Sequence, residues 1–138
     1  MEAAILIPAF NESDNIGNLV VDCFKLGLPV LVVDDCSSDN TFLSAQSNGA
    51  IVLRNEKNMG LGYTLNRGLW YLFDNNFRNV ITVDGDGAHD PKLILDMLAF
   101  HLAEHSDLTI GSRLMNPESK QIFPSPKKTA NEFGALLL

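Results

Sequence analysis

The sequence predicts a doubly wound α/β fold: a mostly parallel sheet with helices on both faces. Three observations lead there. Five short runs are almost continuously apolar, the pattern of strands buried on both sides, without the in–out alternation of a half-solvated sheet. Stretches with apolar residues at helical spacing separate these runs. The polar clusters collect after the runs, at what would be the strands' carboxyl ends, where open parallel sheets bind ligands.

Residues 3–8 (Ala-Ala-Ile-Leu-Ile-Pro) suit a buried first strand ended by proline. From Asn11 to Gly27 the spacing turns helical, with Ile16, Leu19, Val20, Cys23 and Phe24 on one face. Asn11 or Ser13 can cap this helix, acidic residues fall in its first turn, and Gly27 can end it. Pro29 to Val33 forms a second strand, closed by Asp34-Asp35-Cys36-Ser37-Ser38-Asp39, in which the serines read as turn residues. A weaker helix over Thr41–Ser47, Asn48-Gly49 and a third strand over Ala50–Leu53 follow. Asn58-Met59-Gly60-Leu61-Gly62 opens a helix with Leu65, Leu69, Leu72 and Phe73 on its buried stripe. Val80–Val83 is the fourth strand, and Pro91 suits the first turn of a helix carrying Ile94, Leu95, Leu98 and Leu102. Leu108–Ile110 is expected as a fifth strand, residues 114–128 as a long loop, and residues 129–138 as the start of another helix. Right-handed crossovers turn this order into a doubly wound sheet.

At 138 residues, 46% hydrophobic and 20% charged, the chain has the composition of one folded domain. A net charge of −7, with Lys127-Lys128 the only basic cluster, argues against nucleic acid as a partner. Cys23 and Cys36 form no metal-ligand spacing and read as reduced thiols of a cytoplasmic protein. No run approaches the roughly 18 apolar residues of a membrane span. The first residues lack the basic stretch and cleavage site expected of a signal peptide.

The segment Val-Ile-Thr-Val-Asp-Gly-Asp-Gly-Ala-His-Asp-Pro is the most informative. Residues i and i+2 of an extended chain point the same way, so Asp84 and Asp86 can converge. Two carboxylates about 4 Å apart repel by roughly 4 kcal/mol at an effective dielectric near 20. A divalent cation carrying phosphate oxygens would relieve this; the alternative is a Gly-rich turn with both carboxylates in water. Asp35 and Glu12 suit a ribose diol or a base edge, and Phe10 either stacks on a base or covers the first helix. Gly60 and Gly62 allow close approach of a ligand at a helix start, or merely start the helix. Arg113 suits a diphosphate, as do Lys127 and Lys128 if their loop folds over the site. His89 either reaches that site or is structural, and Asp90 reads as the N-cap before Pro91.

An EF-hand fails, because its sixth position would be His89 and its twelfth Leu95. A phosphatase of the haloacid-dehalogenase type would need its nucleophilic aspartate on the first strand.

Taken in order, Ile-Pro-Ala-Phe-Asn-Glu, Val-Val-Asp-Asp-Cys-Ser-Ser-Asp-Asn-Thr, Asn-x-Gly-Leu-Gly, Val-Asp-Gly-Asp-Gly-Ala-His-Asp-Pro and Gly-Ser-Arg resemble a family-2 glycosyltransferase. The likeness spans residues 3–113 and is nearest to the dolichyl- and polyprenyl-phosphate sugar transferases. It implies a GT-A fold, a nucleotide-diphospho-sugar donor (UDP- or GDP-linked) and Mg²⁺ or Mn²⁺ held at Asp84 and Asp86. By position, Pro8, Ala9, Phe10 and Glu12 would border the nucleoside, and Val33 and Asp35 its base and ribose. Asp84 and Gly85 would lie along the ribose and phosphates, Asp86 on the metal, and Arg113 on the phosphates or the sugar. The acceptor implied is a lipid phosphate or a saccharide, with peripheral association at the cytoplasmic face of a membrane.

Two departures accompany the likeness. Ala88 stands where that branch usually carries a glutamine. The family's catalytic domain also continues well past Gly-Ser-Arg, so the 138 residues are expected to be a shortened nucleotide-sugar-binding domain, and no residue is assigned as catalytic base. The rival reading is a nucleotide-sugar binder, or an inactive fragment, that transfers nothing.

Overall fold

The computed structural model describes residues 3–87 and 91–111. Four parallel strands form one sheet in the order β3-β2-β1-β4. They are β1 (Ala3–Ala9), β2 (Val30–Asp34), β3 (Ile51–Arg54) and β4 (Asn79–Thr82). Helices α1 (Ile16–Phe24), α2 (Thr41–Ser47) and α3 (Leu61–Asp74) connect them. A 3₁₀ turn at Pro91–Leu93 leads into α4 (Ile94–Ala103). The described residues fall into two compact units, divided between Ile94 and Leu95.

β1 is central, pairing Ile5 with Val30 of β2 on one side and Ala3 with Asn79 of β4 on the other. All its residues are buried, which is why its sequence shows no alternation. Ile5, Ile7, Val30 and Val32 meet Ile16, Leu19, Val20 and Cys23 of α1 and Ala45 of α2. Ala4, Leu6, Leu31 and Val33 meet Leu72 of α3, with Leu65 and Leu69 packed alongside. The sheet steps one way from β1 to β3, and the connection to β4 returns across it. Crossovers of one hand therefore put α3 on the face opposite α1 and α2. The strand order reverses between β1 and β4, the position where such sheets open a crevice for ligands.

Four expectations are corrected. The first helix begins at Ile16, not near Asn11, and neither Asn11 nor Ser13 caps it; Asn15 stands at the cap position without a side-chain capping bond, and no acidic residue lies in the first turn. The cause is a competing set of bonds. The Asn11, Glu12 and Ser13 amides donate to Ser37 Oγ (2.9 Å), Thr41 Oγ1 (2.8 Å) and Asp39 Oδ2 (3.1 Å), so the loop after β1 is fastened to the loop after β2. Phe73 faces outward at 58% exposure, because α3 turns Thr64, Gly68 and Leu72 to the sheet. Leu95 is likewise exposed, whereas Ile94 and Leu98 are buried.

Leu108–Ile110 is not a strand: it pairs with nothing among the described residues, and Leu108 and Ile110 are exposed. Two apolar residues flanking a threonine, with no ladder partner among the described residues, do not make a strand. No helix among the described residues is long and apolar enough to cross a membrane.

Candidate functional site at the carboxyl edge of the sheet

Backbone bonds just past the strand ends fix the rim. Asp35 donates its amide to the Ala9 carbonyl (2.9 Å), Asn55 to Asp34 (2.8 Å) and Val83 to Leu6 (3.0 Å). The ladder thus carries Asp35, Asn55 and the start of the Asp84-Gly85-Asp86 segment to one edge.

Adjacent residues on an extended strand face opposite ways, and this separates Asp34 from Asp35. Asp34 is fully buried; its Oδ1 accepts the Ser37 amide at 3.0 Å, and its Oδ2 lies 3.4 Å from Arg54 Nε. Asp35 reaches the opposite side and receives the entry to α3. Its Oδ1 accepts from Asn55 Nδ2 (2.6 Å) and the Met59 amide (2.8 Å), and its Oδ2 accepts the Gly60 amide at 2.8 Å. Burial alone would raise the Asp35 pKa; the bonds it accepts, those from Asn55, Met59 and Gly60 foremost, outweigh it and hold the carboxyl below its ordinary value. A carboxylate has about four acceptor positions, and three are filled here. Asp35 therefore has room for about one more donor, not for both hydroxyls of a diol.

Next to it lies an open cavity of about 190 Å³, lined by Pro8, Ala9, Phe10, Asp35, Asn58, Gly60, Leu61 and Thr64. Phe10 is 45% exposed, so its ring is a wall of this cavity and not a cover over α1. Gly60 has φ +84, a left-handed conformation that a side chain would strain, and it presents its amide to Asp35. Val33 is on none of these walls; it is wholly buried beneath α3 with Leu6, Leu31 and Leu72.

Gly85 joins the aspartate motif to this edge. A Cβ built there would lie 3.1 Å from the Pro8 carbonyl oxygen, 3.4 Å from Glu12 Cγ and 3.5 Å from Ala9 Cβ. The backbone between the two aspartates is therefore pressed against the end of β1, with Asp84 and Asp86 exposed on either side of buried Gly85. Among the described residues no group of three potential metal ligands occurs, so any cation here would take two carboxylates at most from the Asp84-Gly85-Asp86 segment, as Mg²⁺ does when phosphates and water complete its shell. Ala88, His89, Asp90, Arg113, Lys127 and Lys128 lie outside the described residues.

Sequence reasoning passed over Asn55, Thr64 and Arg67, which hold Asp35 from behind. Their signals were present: Arg54-Asn55-Glu56 is a polar cluster at the end of β3, and Thr64 is a hydroxyl on the apolar stripe of α3. Ser37, a turn residue by its sequence, also forms a clasp with Asp39 and Thr41 that holds the loop after β1.

The family model described as "Glycosyl transferase family 2" matches residues 4–135. An uncharacterised protein of Methanocaldococcus jannaschii is 37% identical over 134 residues, covering 96% of this chain and 55% of that protein. The UDP-N-acetylglucosamine–dolichyl-phosphate N-acetylglucosaminyltransferase of Methanococcus voltae is 28% identical over 145 residues, covering 92% and 58%. The chain spans about half the length of these relatives. Mannosyl-3-phosphoglycerate synthase from Rubrobacter xylanophilus matches with a TM-score of 0.59 at 25% identity, over 71% of this chain and 35% of that one. Glucosyl-3-phosphoglycerate synthase from Mycobacterium tuberculosis, solved with Mn²⁺, UDP and glucosyl-3-phosphoglycerate, matches with a TM-score of 0.55 at 23% identity, over 72% and 39%. The shared architecture is the GT-A fold.

Proposed function

This chain belongs to glycosyl transferase family 2, and on that footing we propose that it binds a nucleotide-diphospho-sugar and passes the sugar to a lipid-phosphate or saccharide acceptor. The observation that carries the reading is Gly85 packed on Pro8, Ala9 and Glu12, which sets the two exposed aspartates beside the Phe10–Asp35 cavity at the reversal of strand order.

In this reading the cavity takes the nucleoside. Phe10 offers a ring face to the base, and Asp35 accepts one N–H or O–H with its remaining lone pair. Glu12, half buried beside Gly85, borders the same space. Asp84 and Asp86 hold Mg²⁺ or Mn²⁺, which would neutralise charge on the departing nucleoside diphosphate. Arg113 is assigned to the phosphates or the sugar on the family likeness alone. Displacement at the anomeric carbon by an already ionised phosphate acceptor requires no strong general base, whereas a sugar hydroxyl would require one. We place the domain in the cytoplasm, at a membrane face where a lipid phosphate presents its head group; the two free cysteines are in keeping with that compartment.

Calorimetry with UDP and with GDP, each with Mn²⁺ or with a chelator, tests the donor site. One of the two should bind at least about tenfold more tightly with Mn²⁺, and Asp86→Ala should lose that difference while keeping its fold. Equal affinity with and without Mn²⁺ would remove the metal assignment. Incubation of the labelled nucleotide-sugar with a polyprenyl phosphate then separates transfer from binding alone: product supports the enzyme, and metal-dependent binding without product leaves a donor-binding module.

A further inference from the structure

Behind the Asp35 carboxylate a directed line of hydrogen bonds runs from α3 to β2. Arg67 Nη1 donates to Asn55 Oδ1 at 2.6 Å and to the Arg54 carbonyl at 2.7 Å. Asn55, 3% exposed, donates its Nδ2 to Asp35 Oδ1 at 2.6 Å and to Thr64 Oγ1 at 3.1 Å. The Thr64 hydroxyl in turn donates to the Gly60 carbonyl at 2.9 Å. Every bond in the line points one way.

This direction is enforced by chemistry. An asparagine amide can sit in two orientations related by a flip. A guanidinium only donates and a carboxylate only accepts, so Arg67 and Asp35 demand the same orientation from opposite sides of Asn55. Without Arg67, the flip that sets Asn55 Oδ1 against the Asp35 carboxylate loses one of its two penalties. Asp35 would then hold the Met59 and Gly60 amides with a less defined geometry, and those residues adjoin or line the cavity.

We propose that Arg67 is a positioning residue for nucleotide recognition: by fixing the Asn55 amide it sets Asp35 and the Met59–Gly60 backbone in the geometry the cavity presents to its ligand. The proposal rests on reading that cavity as the nucleoside site. Arg67 itself lines no part of the cavity and reaches Asp35 through Asn55.

The test uses the full chain, with Arg67→Met removing the donors, Arg67→Lys keeping a cation, and Asn55→Ala removing the relay. Amide hydrogen exchange is measured without nucleotide, and affinity for UDP and GDP is measured with Mn²⁺. Arg67→Met should speed exchange at Met59 and Gly60 by about tenfold and weaken nucleotide binding about tenfold, with exchange at Ile7 and Val32 in the central ladder unchanged. Arg67→Lys should recover part of both, and the double variant should lose no more than Asn55→Ala alone, because the two act as one unit. Unchanged exchange at Met59 and Gly60 in Arg67→Met, or purely additive losses in the double variant, would overturn the positioning role. No binding of either nucleotide by the unmodified chain would instead overturn the nucleoside reading. Binding that is equally tight in Arg67→Met overturns the positioning role alone.

Discussion

Asp39 fastens two loops from a single carboxylate. It accepts from the Thr41 hydroxyl, from the Thr41 amide at 2.9 Å and from the Ser13 amide at 3.1 Å. Burial would raise its pKa, but these bonds outweigh it and bring the group from 3.8 to about 2. A depressed carboxyl stabilises the fold above its unfolded pKa, and that contribution fades as pH falls from about 4 to about 2. Asp35 shifts in the same direction and adds to the same loss. Asp39→Asn should therefore cost about 1–2 kcal/mol near neutrality and show a shallower fall in stability below pH 5, read from urea midpoints across pH. At Gly85 the issue is room: a methyl 3.1 Å from the Pro8 carbonyl must push the aspartate segment away from β1. Gly85→Ala should cost about 1–2 kcal/mol and weaken Mn²⁺-dependent nucleotide binding measured by calorimetry. Asp84-Gly85-Asp86 was legible as a cluster of carboxylates. What the glycine does there was not, since its neighbours come from a strand some 75 residues earlier.

Helix α3 carries two glycines with opposite demands. A Cβ at Gly62 would meet nothing, whereas at Gly68 it would collide with Leu6 Cδ1 and lie 3.1 Å from Val33 Cγ2. Leu6 and Val33 are wholly buried and have nowhere to move. Thermal melts should accordingly diverge: Gly62→Ala unchanged or raised by up to about 0.5 kcal/mol, Gly68→Ala lowered by about 1–3 kcal/mol. Element positions followed well from hydrophobic period, because strands buried on both faces and helices with one apolar stripe leave different repeats. Helix α2 coincides with the expected Thr41–Ser47. The start of α1 was illegible for a physical reason. The capping residues that mark a helix start, Asn11 and Ser13, are tied to a partner loop instead: Asn11 Oδ1, the atom that would cap, accepts the Ser38 amide, and the Ser13 amide is held by Asp39. The strand expected at Leu108–Ile110 failed because apolar character cannot announce whether a ladder partner exists.

At the scale of the molecule, the polar clusters at the ends of β1, β2 and β4 were readable before any fold was known, since a parallel sheet sends all its carboxyl ends to one side. The backing of Asp35 by Asn55 and Arg67 was not, because it depends on how β3 and α3 settle against β2. A ligand that needs the whole rim should stabilise the whole fold. A nucleoside diphosphate at a hundred times its dissociation constant, with Mn²⁺, should add about 2.7 kcal/mol, and Asp86→Ala should lose the metal-dependent part of that thermal shift.

The strand order also sets a sequence of events in time. β1 and β2, close along the chain, can pair early, and β3 adds to β2 by a short crossover. β4 must return across the sheet to reach β1, linking Ala3 to Asn79, and closing that long loop is the slow kind of contact. The aspartates ride on this last arrival. If the proposed donor site is right, a chain still emerging from the ribosome holds β1 to β3 and the Asp35 side of the cavity, yet has no grip on a diphosphate until its fourth strand docks. Pulsed hydrogen exchange should find Val32 protected before Ile81, with nucleotide affinity appearing only alongside the latter.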